Sequence, residues 1–219
     1  MPIIDLSFVL VGTTLPLDHG YSLYSAICRV VPGLHGDRPV GVHPVRGRQS
    51  GPGVLTLDER SRLRLRLRSE EIAPYIALAG QALDLEGHRL RVGIPSVQAL
   101  TPAENLAARL VTFRHAMTPD AFEADVQREL DRLEIKGTPR LVPSTRRAFT
   151  GQPIRRVLRI KEKVVVGFAL RVGGLTTAES IRLQEEGLGG RRRMGCGVFV
   201  PMGTTEFVRA PRSDPPDRG

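Results

Sequence analysis

Hydrophobic and polar positions along this chain repeat with two different periods. Ile3 to Val11 is an apolar run that stops at Gly12, which predicts a strand. Tyr21 to Val31 places Leu23, Ala26, Ile27, Val30 and Val31 at the spacing of one helical face, and Pro32 ends that helix. Gly33 to Gly53 is a Gly- and Pro-containing loop with room for a short strand near Val40 to Val45, and Val54 to Leu57 predicts another. Ser61 to Arg68 alternates strictly, with Leu63, Leu65 and Leu67 on one side and Arg62, Arg64, Arg66 and Arg68 on the other. That is strand periodicity, leucines inward and arginines outward. Glu70 to Ala82 predicts a second helix, and Asp84 to Ile94 a hairpin turning at Glu86-Gly87-His88.

A second series follows. Leu106 to Phe113 predicts a strand. Thr118 and Pro119 open a helix that runs to Leu133, with Phe122, Val126, Leu130 and Leu133 as its apolar stripe. Gly137 to Gly151 reads as a connection. Val157 to Ile160 and Val164 to Leu170 predict a hairpin turning at Lys161-Glu162-Lys163. Thr176 and Glu179 have capping-box spacing before a helix over Thr177 to Glu186, and Gly187 stops it. Gly197 to Val200 predicts a last strand. Each half therefore runs strand, helix, strands, helix, strand. The expected class is α+β, with tandem ferredoxin-like (RRM-like) β-α-β-β-α-β domains over 1–95 and 96–208. A Pro-, Asp- and Arg-rich tail over 209–219 is expected to be disordered.

Charge narrows the partner. The 219 residues hold 32 Lys and Arg against 23 Asp and Glu, a formal net charge of +9, which favours a polyanion. Aromatic residues are only 5% with no Trp, so phosphate contacts are expected to outweigh base stacking. No apolar run approaches the ~20 residues that span a bilayer. The start, Met1-Pro2-Ile3-Ile4-Asp5, lacks the basic residues of a secretion signal, so a cytoplasmic protein without membrane contact is expected. Cys28 and Cys196 are isolated, and no metal-ligating spacing occurs; neither a metal nor a cofactor is expected.

The densest chemistry lies between the last helix and the last strand. Gly187, Gly189, Gly190, Gly195 and Gly197 surround Arg191, Arg192 and Arg193. Glycine admits positive φ and close backbone approach, and arginine presents a planar, permanent fork to phosphate oxygens. The segment is no nucleotide P-loop, which needs Gly-Lys-Ser/Thr between a strand and a helix. Arg155, Arg156, Arg159, Lys161 and Lys163 give the preceding hairpin a second set of cations.

Gly187-Leu188-Gly189-Gly190-Arg191-Arg192-Arg193-Met194-Gly195-Cys196-Gly197-Val198-Phe199-Val200-Pro201 and the paired ferredoxin-like units, with an early helix followed by histidine, resemble the CRISPR repeat-RNA processing endoribonucleases of the RAMP superfamily. Leu15 to Tyr21 and Arg29 to His35 are similar to the short, subtype-specific members, and the resemblance covers all but the tail. It implies a metal-independent nuclease that cuts the repeat of precursor CRISPR RNA. The ribose 2′-hydroxyl attacks the adjacent phosphate, leaving 2′,3′-cyclic phosphate and 5′-hydroxyl ends on the way to guide RNAs. The alternative is a non-catalytic RAMP-type RNA-binding subunit of a CRISPR effector complex.

The reaction needs a proton acceptor, a proton donor and positive charge, and histidine suits the proton work. His35 ranks first, because it lies in the loop past the first helix where the family places its histidine. His19 ranks second, at the mouth of the same helix, with Tyr21 or Tyr24 to orient the ribose, although the helical spacing suits Tyr24 equally to packing. His43 reads as a strand-edge residue, and His88 and His115 as incidental. The family's lysine after the histidine has no match here; Arg38, Arg46 or Arg48 could substitute.

Overall fold

The computed structural model of the protein describes residues 1–36, 39–145 and 147–202. Arg38 and the 209–219 tail lie outside the described residues.

In the first half, β1 (Ile3–Val11), β2 (Thr14–Pro16), α1 (Gly20–Val30), β3 (Gly41–Val42), β4 (Arg48–Gly51) and β5 (Val54–Thr56) come first in the chain. They are followed by β6 (Arg62–Arg68), α2 (Ala73–Ile76), β7 (Ala82–Leu85) and β8 (His88–Ala99). The main sheet is antiparallel in the order β3-β6-β1-β8-β7, and β2, β5 and β4 form a small separate sheet. The first strand is thus flanked by the strands before and after the second helix, and the strand after the first helix lies outermost. In the second half, β9 (Leu106–Val111), α3 (Pro119–Arg132), β10 (Thr138–Leu141), β11 (Arg155–Ile160), β12 (Lys163–Gly173), α4 (Thr177–Glu186) and β13 (Val200–Pro201) repeat that rule. Their sheet runs β10-β12-β9-β13, with β11 added along β12. Two ferredoxin-like units in tandem are the result.

Local chemistry explains the elements that match expectation. Thr176 and Glu179 close a complete capping box at α4, and the Thr118 hydroxyl accepts from the Ala121 amide at α3. Glu86 and Gly87 both take positive φ, so β7 and β8 join through the two-residue turn that suits strand twist. Three readings change. The helix expected over Glu70 to Ala82 shrinks to a 3-10 turn at Ser69–Glu71 and α2, because positive-φ Gly80 ends it and Ala82 already belongs to β7. The connection over Gly137 to Gly151 contains β10, whose Pro139 is tolerated at a sheet edge. β8 continues to Ala99, past the expected boundary at 95/96.

The arginines of β6 need the largest correction. Leu63, Leu65 and Leu67 pack into the first core as expected. Arg66, however, is among the most buried side chains of the protein. Its Nε and Nη2 donate to the two Asp5 carboxylate oxygens across the ladder at 2.8 and 3.0 Å. Its Nη1 donates to the carbonyls of Gln184 and Phe199 in the second domain at 2.9 and 2.7 Å. Period-2 alternation assigns a sheet face, but the second domain covers this end of that face. His43, expected at a strand edge, is buried in the same cluster, 3.2 Å from Asp5. Burial alone would raise the Asp5 carboxyl, but His43 and Arg66 hold it well below the usual carboxylate range. Arg62 and Arg64 stay accessible, lining an open groove of about 480 Å³ with Arg60, Val9 and Ile94. Among the described residues no helix is long and apolar enough to cross a membrane.

Candidate active site

Helix α1 and the turn after it carry the histidine. Pro32 cannot continue the helix, so the chain tightens into a 3-10 turn over Pro32–His35. Leu34 anchors this turn in the core, which leaves His35 exposed beside it. Tyr24, buried one helical turn after Tyr21, shares a 2.9 Å hydrogen bond between its hydroxyl and His35 Nδ1. The two rings meet edge-on, 5.4 Å apart at 80°. Burial first, then Cys28, raises the Tyr24 phenol, so it remains a hydroxyl at neutral pH. With Nδ1 engaged, Nε2 is the nitrogen left to meet a ligand.

The glycine-rich segment lies directly against α1. A Cβ on Gly20, the first residue of the helix, would come within 2.4 Å of the Met194 carbonyl. From there the segment reaches the histidine turn. The Arg193 guanidinium donates to the Leu34 carbonyl at 2.8 Å and also to the Gly36 carbonyl. Residues near the two ends of the chain thus share one locality.

The loop's own amides are less available than its glycine content implies. The N–H groups of Gly187, Leu188, Gly190, Met194, Gly195, Cys196 and Gly197 all donate to backbone carbonyls. Gly187, Gly189 and Gly197 have positive φ, and a Cβ on any of them would meet a backbone carbonyl oxygen at 2.1 to 2.4 Å. These glycines let the loop fold tightly onto itself and onto β9. Gly190 alone among them faces open space without positive φ. Of the three arginines, Arg191 is exposed in a left-handed conformation. Arg192 is half-buried near the C-terminal end of α4, with Nη2 3.5 Å from the Gln184 carbonyl and Nε buried without a partner. Burial, with Arg66 nearby, lowers its guanidinium to about 10.

The Cas6 family model, described as Cas6 CRISPR, matches residues 4–204. The chain belongs to the Cas6 family. A CRISPR-associated endonuclease Cas6 from Myxococcus xanthus (strain DK1622) is 42% identical over 210 residues, 96% of this chain and 86% of that protein. Among solved structures, a CRISPR-associated protein Cas6 superposes with a TM-score of 0.62 at 14% identity, over 91% of this chain and 99% of its own. A Cas6-related protein from Pyrococcus furiosus gives 0.64 at 12%, over 93% and 100%. These structures share the fold, and the family read from the glycine motif and element order is the one found.

In this Cas6 chain the other expected site residues fall in different surroundings. His19 is fully buried before α1. Its Nδ1–H donates to the Pro16 carbonyl at 2.9 Å, and its Nε2 accepts from the Val45 amide at 3.0 Å. Burial, then Arg109, pushes it down to about 3, so it is a neutral brace with no nitrogen to offer a substrate. Tyr21 is half-buried against a small seam of Leu110, Leu158, Cys196 and Met194. The β11–β12 hairpin exposes Arg155, Arg159, Lys161 and Lys163, while Arg156 is half-buried. The Arg159 amide donates to Asp18 at 2.9 Å, which ties this basic hairpin to the start of α1. Sequence reasoning left Tyr24 open between packing and ribose orientation; its place beside the apolar stripe gives no sign of the histidine it holds. Among the described residues no group of three or more His, Cys, Asp or Glu could hold a metal ion.

Proposed function

We propose that this Cas6 protein is a metal-independent endoribonuclease of the repeat in precursor CRISPR RNA. The ribose 2′-oxygen attacks the adjacent phosphorus and the 5′-oxygen departs with a proton, giving a 2′,3′-cyclic phosphate and a 5′-hydroxyl. His35 is the proton-transfer residue, acting through Nε2 while Tyr24 fixes its ring through Nδ1. Tyr21 borders the substrate on the α1 side. Arg191 and the hairpin residues Arg155, Arg159, Lys161 and Lys163 hold phosphates, with Arg156, Gly189 and Gly190 beside them. The protein works in the cytoplasm and passes its product to subunits of a CRISPR effector complex.

The observation that carries this reading is an exposed, oriented imidazole beside an arginine-bearing loop. The name of the Myxococcus xanthus relative, an endonuclease, supports it. The test is incubation of the protein with repeat RNA in EDTA. A single cut leaving a cyclic phosphate is expected. Deoxyribose 5′ to the cut should abolish cleavage, and His35→Ala should slow it strongly, each with binding retained. Cleavage of the deoxy substrate would rule out 2′-hydroxyl attack, and binding without product by the wild type would make the protein a non-catalytic RNA-holding subunit.

A further inference from the structure

We infer that Arg193 is a positioning residue for His35 and not an RNA-binding one, which reassigns one of the three arginines of the glycine-rich loop. Its Nη1 donates to the carbonyls of both residues that flank the histidine, Leu34 and Gly36. These acceptors lie at the C-terminal end of a 3-10 turn, where carbonyls lack helical partners and carry partial negative charge. The guanidinium therefore holds the turn from the outside while Leu34 holds it from the core and Tyr24 holds the ring. Arg193 belongs to the second domain and its acceptors to the first, so the contact joins the candidate phosphate clamp to the candidate proton-transfer group across the domain seam. Arg191, two residues earlier and exposed, has no such duty. One loop thus divides its cations: Arg191 faces the ligand, and Arg193 sets the distance between ligand and imidazole.

This inference rests on His35 being the proton-transfer residue, and its test separates the two. Single-turnover cleavage of repeat RNA and equilibrium binding are measured for wild type, Arg191→Ala, Arg193→Ala, Arg193→Lys and His35→Ala. Arg193→Ala is expected to slow cleavage at saturation by about 10- to 100-fold, because small displacements of a reacting group are costly. Its affinity should remain within about 2-fold of wild type, as no phosphate contact is lost. Arg193→Lys keeps a cationic donor and should recover part of the rate; it also serves if the alanine variant fails to fold. Arg191→Ala, which removes a phosphate contact, should weaken binding and flatten its salt dependence more than Arg193→Ala does. An Arg193→Ala protein that binds weakly, loses salt dependence and cuts normally when saturated would overturn the inference. So would one indistinguishable from wild type. Full cleavage by His35→Ala would instead remove the underlying assignment of His35.

Discussion

The two ends of α1 each present a histidine, and the fold treats them in opposite ways. His19, ahead of the helix, is sealed between the Pro16 carbonyl and the Val45 amide, and both ring nitrogens are used. His35, past the helix, is exposed with one nitrogen on Tyr24. The side chain is the same, yet one is enclosed as a brace and the other lies at the surface. The difference lies in what covers each end. At the entrance, the loop around Val45 and the Leu17 carbonyl with its Arg109 partner close over the ring. At the exit, Pro32 turns the chain outward and only Leu34 is drawn into the core.

The comparison can be broken most directly at the exposed end. His35→Ala should lower the cleavage rate by about 10²- to 10⁴-fold, the usual contribution of a positioned proton-transfer group, with the melting temperature almost unchanged. His19→Ala should do the opposite. It strands a buried N–H and a buried carbonyl, so a loss of about 3 kcal/mol in urea unfolding is expected, with near-normal cleavage by the folded fraction. A His19→Ala protein that is stable but inactive would invert the two roles.

Acid should expose the same asymmetry. Burial lowers His19 to about 3 and His43 to about 4, whereas an unfolded histidine titrates near 6.5. Below 6.5 the unfolded chain takes up protons that the native protein refuses, so stability present above 6.5 is lost as the pH falls toward 3–4. At pH 5 the loss is about 2 kcal/mol per histidine, read as a shift in urea midpoint between pH 7 and 5. The shift should shrink in His19→Ala; an unchanged shift there would contradict its buried, neutral state.

Three further substitutions have smaller effects. Gly197→Ala places a Cβ 2.1 Å from the Leu188 carbonyl oxygen at a φ of +66° and should cost at least about 1–2 kcal/mol of stability, by thermal unfolding. Gly190→Ala meets no neighbour and should leave stability unchanged, so any loss of RNA affinity there would mark close backbone contact with the ligand. Tyr24→Phe removes one hydrogen bond to His35 and should slow cleavage about 5-fold without weakening binding. A Tyr24→Phe enzyme with a wild-type rate would show that the imidazole needs no such guide.

Sequence by itself determined the duplicated α+β architecture, the capped helices and the family. These depend on local signals: periodicity, the Thr118 and Thr176 caps, the Glu86-Gly87 turn and a long glycine-arginine motif. It also singled out His35 and the loop as regions of interest. Which polar groups remain available was decided only by tertiary packing. Alternation could put Arg66 on the outer face of β6 but could not know that Gln184 and Phe199 would cover it. The loop's glycines looked like open amides until their hydrogen bonds to β9 and to the loop itself formed. Tyr24 and Arg193 gained their relation to His35 only when the helix face and the second domain closed around one turn. Burial and hydrogen-bond partnership depend on residues far apart in the chain, and no local pattern encodes them.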